Sequence, residues 1–272
     1  MTDHFDPAAF EAFERASWER AADAYADGFA MLSVHTVEPL LDSVGAHAGT
    51  RLLDVGCGPG VLTRRALERG CLVTGVDSAE PMLSIARESL PAATFDRADV
   101  QAGLPYADGS FDAVAGNMVI HHLARPAEAL GHLVRVLSRG GRLGLTLWDP
   151  PADNPAQGIF NLAAAAVAAS PPPGLPVLPP RPDDDALEGL FADANLTGVA
   201  VTHLQSEFSC DPGRWWTAVM TSTVLSAALV TTQPPEVQGE IRAAYDDLVR
   251  RYLDKSGVAT FPVSATLAVG TR

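Results

Sequence analysis

The sequence predicts an α/β fold built on a doubly wound, mostly parallel seven-stranded sheet with helical lid insertions. Three observations predict it. Short β-branched or Leu-rich runs alternate with helical patterns between residues 51 and 148. The first run, "LLDVGCGPG", ends in glycines at 56, 58 and 60. Two further strand-like runs follow much later, near 197–208 and in the terminal "FPVSATLAVGTR". Alternating strand and helix periods imply parallel strands joined by crossover helices on both faces of the sheet.

In chain order, residues 7–45 read as two helices, with Trp18, Ala22 and Tyr25 at helical spacing. Strands follow at 51–56, 71–76, 93–97, 111–117 and 141–148, with helices at about 61–69, 79–89 and 126–137 between them. "DPPADNP" then breaks the order, an Ala-rich helix spans 157–169, and "PPPGLPVLPPRP" at 171–182 reads as a rigid connector. A helix at 184–194 and a strand at 197–208 resume the α/β pattern. Helical patterns at 212–230 and 235–254 form a second insertion before the last strand. The expected organisation is an N-terminal helical cap (1–47), an α/β core (48–149), a lid insertion (150–183), a core continuation (184–210), a helical lid insertion (211–257) and a final core strand (258–272). Additions of this kind beside the strand ends of a doubly wound sheet build the ligand pocket.

Bulk properties narrow the function. The 272 residues are 47% hydrophobic and 19% charged, enough for a large core and unlike a disordered chain. The net charge is −14 and Lys255 is the only lysine, which disfavours a nucleic-acid partner held by a basic face. No run of about 18 apolar residues is present, so no membrane span is expected. Cys57, Cys71 and Cys210 form no CxxC pair, and the N-terminus lacks an apolar signal core; both fit a cytoplasmic protein. The Ala-rich, Arg-over-Lys composition fits a GC-rich bacterial genome.

The glycines at 56, 58 and 60 imply close approach of a nucleotide-like ligand to the backbone, a signal shared by NAD, FAD and other adenosine ligands. Asp77 closes the second strand and suits ribose hydroxyls; Asp99, just after the third strand, suits an exocyclic amine. Asp54, two residues before Gly56, is unwelcome to a diphosphate but suits a cationic or zwitterionic group. The set therefore fits an adenosine attached to something positive and free of phosphate, and disfavours an NAD-dependent oxidoreductase.

"LLDVGCGPG", "VTGVDSAEPMLSIAR", "ADVQAGLPYADGSFDAVAGNMVIHHL" and "ALGHLVRVLSRGGRLGLTLW" resemble, in order and spacing, the motifs of class I S-adenosylmethionine-dependent methyltransferases, in particular the small-molecule group of the ubiquinone/menaquinone-biosynthesis type. The resemblance implies a Rossmann-like methyltransferase sheet with the last strand antiparallel, and S-adenosylmethionine as cofactor. It further implies that Asp54, Gly56, Gly58 and Gly60 surround the methionine portion, Asp77 holds the ribose, and Ser78 and Met82 lie beside ribose and adenine. Asp99 and Val100 would meet the adenine edge, and Asn117 would sit near the methionine amino group. Arg139 stands where the family usually has proline, in a turn away from the cofactor.

His121 and His122 follow the fourth strand and are the candidate general bases, a role suited to imidazole near neutral pH; the alternative is a helix start bonding its own loop. Tyr25 is a candidate cover for a sulfonium. Trp215 and Trp216 fit either an apolar acceptor site or a helix-packing seam. "WDPPADN" resembles the Asp-Pro-Pro-aromatic motif of nucleic-acid amino-methyltransferases, but it follows the fifth strand and lacks the stacking aromatic. Asp149, Asp153 and Asn154 offer oxygen ligands for Mg²⁺, yet no metal site is expected. The sequence thus points to methyl transfer onto an O, N or C atom of a small, partly apolar metabolite by a monomer or homodimer; the alternative is a protein of the same fold that binds S-adenosylmethionine without methylating.

Overall fold

The computed structural model describes residues 5–170, 174–223 and 225–272. Seven strands form one sheet: β1 (Arg51–Val55), β2 (Leu72–Asp77), β3 (Thr94–Arg97), β4 (Phe111–Gly116), β5 (Leu137–Trp148), β6 (Thr197–Cys210) and β7 (Ala259–Thr271). Their order is β3-β2-β1-β4-β5-β7-β6. The first five pair in parallel. The last strand, β7, inserts between β5 and β6 and runs antiparallel to both.

The chain winds outward from β1 to β3, then crosses back to start β4 on the other side of β1. That reversal leaves a crevice beyond the carboxyl ends of β1 and β4, where ligands bind in open α/β sheets.

Strand alternation explains how both faces are covered. Leu52 and Leu53 are fully buried, yet on opposite sides. Leu52 packs with Leu40, Leu41, Leu62 and Ala66 of helices α3 (Val37–Ser43) and α4 (Val61–Glu68). Leu53 packs with Leu130, Leu133 and Phe191 of α6 (Pro126–Val136) and α8 (Asp184–Asp193). Ala113 and Val114 of β4 repeat the split. A two-residue period feeding two cores produces the near-continuous apolar runs seen in the sequence. Helix α5 (Glu80–Ser89) closes the β2–β3 side.

A second core lies beyond the sheet. β6 and β7 are 14 and 13 residues long, against four to six for β1–β4. Their ends carry Phe208, Phe261 and Val263 into a cluster with α7 (Pro155–Ala166), α9 (Pro212–Ser222), α10 (Leu225–Thr231) and α11 (Pro235–Val249). The pattern at 212–230 is therefore two helices, separated by extended backbone at Thr223 (φ −111°, ψ 151°). Both tryptophans of α9 serve this packing. Trp215 is 3% exposed and its indole N–H donates to the Ala156 carbonyl at 2.8 Å. Trp216 packs on Phe160 and Tyr245 with Arg242 over its ring. Neither lines the crevice, so the acceptor-site alternative for this pair is corrected to a helix seam.

At the N-terminus, α1 (Pro7–Asp27) precedes α2 (Ala30–Ser33), one 3₁₀ turn and α3, so the segment read as two helices is one long helix and two short ones. Asp6 caps α1 by accepting from the Ala8 and Ala9 N–H groups at 3.0 and 3.3 Å. Replacing such a cap removes about 1 kcal/mol. Asp6→Ala should therefore lower the urea midpoint with an unchanged slope.

Candidate active site

The turn after β1 is built by backbone conformation. Gly56, Gly58 and Gly60 all have positive φ (60°, 50° and 91°), a region that L side chains avoid. Their surroundings differ. A Cβ on Gly56 would lie 2.6 Å from Val119 Cγ2, and one on Gly60 2.5 Å from Leu90 Cδ1. A Cβ on Gly58 would meet nothing within 4 Å. The Cβ positions of Gly56 and Gly60 are thus packed, and only at Gly58 would a Cβ enter open space. Cys57 points inward, and burial raises its thiol well above the usual range, as expected of an inert filler.

Two buried carboxylates sit beside this turn. Asp77 accepts from the Gly58 N–H and the Ala79 N–H, both at 2.9 Å, so it ties the end of β2 to the glycine turn. Burial raises its pKa despite these bonds. Asp54 is 1% exposed and accepts from Thr63 Oγ1 at 2.6 Å; burial pushes it up to about 7. At the far side of β2, Asp99 accepts from the Gln101 N–H at 2.9 Å, and Arg15 stands 3.8 Å away. Ser78 and Val100 face the same space, as does Met82, which also packs against Ala22 and Ala79.

The segment after β4 is held tightly. Asn117 Oδ1 accepts from Thr36 Oγ1 (2.6 Å) and Thr146 Oγ1 (2.9 Å), while Nδ2 donates to the Ser33 carbonyl (3.0 Å). The Asn117 side chain thereby joins β4, β5 and the N-terminal segment, and it also lines the cavity described below. Met118 follows at φ 58°, a left-handed conformation for a side-chain-bearing residue, with its N–H bound to Thr146 Oγ1 at 2.9 Å. Surroundings that over-determine a strained residue are a feature of functional turns.

That turn delivers His121 and His122. His121 Nδ1 is sealed from solvent without a partner, and burial, helped by nearby His122 and Arg181, drives its pKa well below the ordinary histidine value. It stays neutral. His122 Nδ1 lies 2.7 Å from Glu14 Oε2, and its ring meets Trp18 edge-on at 5.0 Å. Tyr25 stands edge-on to Trp18 at 5.1 Å; burial lifts its hydroxyl to about 12, so it remains protonated.

Of the site residues expected from the sequence, all but Gly60 line one cavity of about 630 Å³. Four groups in its wall were not legible in the sequence. Glu14 shares a helical face with Trp18, and that i, i+4 spacing was the available signal. Gln157, near the start of α7, has an Nε2 that is buried and unpartnered. The segment Leu178–Pro182 of the proline cluster is a wall and not merely a connector. Arg181, the one base in that cluster, braces it: Nε donates to the Trp148 carbonyl at 2.9 Å, and Nη2 to Asp149 Oδ1 at 2.7 Å and Thr266 Oγ1 at 2.8 Å. Asp149 also accepts from the Ser264 and Thr266 hydroxyls. Asn154 spends its amide on the Asp149 carbonyl and the Ser264 N–H. The oxygens considered for Mg²⁺ at these two residues are thus committed to protein donors.

The donor set fits S-adenosylmethionine. Gly58 leaves a cradle, and Asp54 and Asp77 concentrate negative character at the turn. Among the described lining residues the only Arg or Lys side chains are Arg15 and Arg181, both facing carboxylates. A diphosphate would find no free cation there, whereas a positively charged, phosphate-free nucleoside finds carboxylates.

Comparison with known proteins agrees with this geometry. The profile of the family described as "Methyltransferase domain" matches residues 53–145. The demethylmenaquinone methyltransferase of Renibacterium salmoninarum is 30% identical over 176 residues, covering 61% of this chain and 74% of that protein. The ubiquinone biosynthesis O-methyltransferase of Pseudomonas aeruginosa is 30% identical over 152 residues, covering 53% and 62%. The crystal structure of the Bacillus subtilis YcgJ protein superposes with a TM-score of 0.56 at 20% identity, covering 88% of this chain and 98% of that one, a likeness of fold. Across four of the curated relatives the matched stretch spans 34% to 74% of their length. The chain belongs to the class I S-adenosylmethionine-dependent methyltransferase family. Its cofactor is S-adenosylmethionine.

Proposed function

We propose that the chain transfers a methyl group to an O, N or C atom of a small, partly apolar metabolite. One observation carries the reading: a single cavity runs from the glycine turn, Asp54 and Asp77 to the His121–His122 turn. Donor and acceptor therefore share one space. The relatives named above, which act in quinone biosynthesis by their names, support an acceptor of this class.

S-adenosylmethionine supplies, when bound, a methyl already activated on a sulfonium. The chain's own residues have three tasks. Asp54, Gly56, Gly58, Gly60 and Asp77 hold the methionine and ribose portions, with Ser78, Met82, Asp99 and Val100 around the base. Asn117 braces the post-β4 turn through its side-chain bonds and lines the cavity near the methionine amino group. Tyr25 and Trp18 cover the reacting region, where an aromatic face over a cation contributes about 0.5–2 kcal/mol. His122 takes the proton of an acidic acceptor, a contribution of about 10²–10⁴-fold. His121, neutral and unpartnered at Nδ1, hydrogen-bonds the acceptor and is not the base.

The N-terminal helices, 150–183 and 211–257 form the lid in this reading, with α1 and the 178–182 wall excluding water. The acidic chain favours a metabolite over nucleic acid. Among the described residues no helix is long and apolar enough to cross a membrane, and three free cysteines suit a reducing, cytoplasmic setting. The chain works as a monomer or homodimer.

Calorimetric titration with S-adenosylhomocysteine, followed by labelled donor with a panel of phenols, quinols and amines, tests the proposal. Absence of nucleoside binding rejects it outright. Binding with no methyl transfer to any acceptor or extract favours a non-methylating role. Gln157→Leu should raise the acceptor KM about three- to tenfold, the cost of one neutral hydrogen bond, and leave S-adenosylhomocysteine affinity unchanged.

A further inference from the structure

We infer that Glu14 is a positioning residue for His122: its carboxylate fixes the imidazole tautomer so that Nε2 offers its lone pair to the cavity. The inference rests on the proposed methyl transfer and deepens it.

The argument begins with what each atom is able to do. An ionised carboxylate only accepts hydrogen bonds. Glu14 Oε2 lies 2.7 Å from His122 Nδ1 and 2.9 Å from Trp18 Nε1, whose N–H only donates. Both neighbours therefore point protons at one oxygen. A neutral His122 must carry its proton on Nδ1, leaving Nε2 unprotonated. Among the described residues no protein group bonds Nε2, and the ring lines the cavity at 29% exposure. Glu14 itself is only 15% exposed, so its charge is partly shielded from water.

The surroundings separate this pair from its neighbours. Asp77, at the end of β2, lines the same cavity, and the His121 ring lies tilted at 47° with 4.1 Å between ring centroids. One turn away on α1, Glu11 pairs with Arg125 at 2.8 Å, and Arg15 faces Asp99. The charged side chains of α1 along this face thus have assigned opposites, and Glu14 has only His122 and the Trp18 indole. Trp18 fixes the carboxylate in turn, and its ring meets the imidazole edge-on. The N-terminal helix therefore brings more than a cover: it brings the third member of an acceptor–His122–Glu14 array.

In the reaction the acceptor O–H proton passes to His122 Nε2 as the oxygen–methyl bond forms. The methyl–sulfur bond breaks with its electron pair left on sulfur. The imidazolium that results faces the Glu14 carboxylate, which stays ionised and stabilises the new charge.

Nitrogen-15 correlation spectra of the histidine rings, recorded on the protein saturated with S-adenosylhomocysteine, test the assignment without needing the acceptor. His122→Gln identifies the resonance by its loss. In the unaltered protein, neutral His122 should be the Nδ1–H tautomer. Glu14→Gln should preserve that tautomer, because the amide oxygen still accepts, and lower kcat about tenfold on any acceptor found, with KM held. Glu14→Leu should bring out the Nε2–H form. A His122 already protonated on Nε2 in the unaltered protein overturns the inference, and so does an identical ring spectrum in Glu14→Leu. If Glu14→Leu does not fold, the first measurement alone decides. Failure to bind S-adenosylhomocysteine would instead reject the methyltransferase reading, so the two failures are distinct.

Discussion

Asp77→Ala is expected to weaken S-adenosylhomocysteine binding about 100-fold or more, against a stability loss near 1 kcal/mol. The two figures come from different bonds. In the structure the Asp77 carboxylate accepts from the Gly58 and Ala79 N–H groups. The Gly58 N–H stands at the cavity wall, where water takes over once the carboxylate is gone. The Ala79 N–H is buried and loses its acceptor, but the variant also sheds the desolvation of a buried carboxylate, which leaves a net loss of about 1 kcal/mol. Binding loses more. Hydrogen bonds from ribose hydroxyls to an ionised acceptor contribute about 1.5–3 kcal/mol each, and about 2.7 kcal/mol is already 100-fold in affinity. The alanine variant also frees the Gly58 turn, which must hold its left-handed conformation for the cradle to exist. Asp77→Asn keeps one accepting oxygen and should fall between, near tenfold. Calorimetry and a urea melt on the same samples separate the effects. An affinity within threefold of the unaltered protein would remove Asp77 from the ribose site.

The contrast between legible and illegible parts of the molecule follows the range of the interactions. Residues 51–148 were readable because strand and helix periods are local, and because the glycine turn writes its conformation into residue choice. Strand limits at 51 and 148 agree with the sheet, but β5 begins at Leu137, four residues earlier than the pattern suggests. The pair Gly140–Gly141 reads as a turn. In the structure it lies within the strand, where a register shift between Phe111 and Ala113 accommodates it. The antiparallel direction of β7 was carried by family resemblance and not by the residues, and its place between β5 and β6 was not anticipated, since α9, α10 and α11 separate β6 from β7 in sequence.

Within the site, glycines and strand-end carboxylates announced themselves by type and position. The Glu14–His122 contact spans 108 positions and the Arg181–Thr266 contact 85, so no local pattern marks either. Asn117 shows a second limit. Its place at the end of β4 was legible, but Thr36, Thr146 and Ser33, which take up its side chain, come from three distant segments. Trp215 and Trp216 show a third: composition reports that large aromatics exist, and only packing decides which cavity they fill.

Asp54 supplies the pH dependence. Burial raises its folded-state pKa to about 7, far above the ordinary carboxylate value. The folded chain therefore binds a proton that the unfolded chain releases, so Asp54 favours the fold at low pH and that contribution is lost as pH rises toward 7. A cation placed beside the carboxylate reverses the preference, because it stabilises the charged form. Binding of S-adenosylmethionine should then expel the proton below pH 7 and tighten with rising pH. For a two-unit fall in the Asp54 pKa on binding, linkage gives about a 20-fold gain in affinity between pH 5.5 and 8, and little change above. Proton release should appear as a buffer-dependent heat at pH 6 that vanishes at pH 8. Asp54→Asn should abolish both signatures while keeping the bond to Thr63, and its affinity should stay flat and weak across the range. His121 and Asp77 also titrate away from their ordinary values in this cavity, so persistence of the full pH dependence in Asp54→Asn would move the proton to one of them and deny Asp54 its place beside the positive charge.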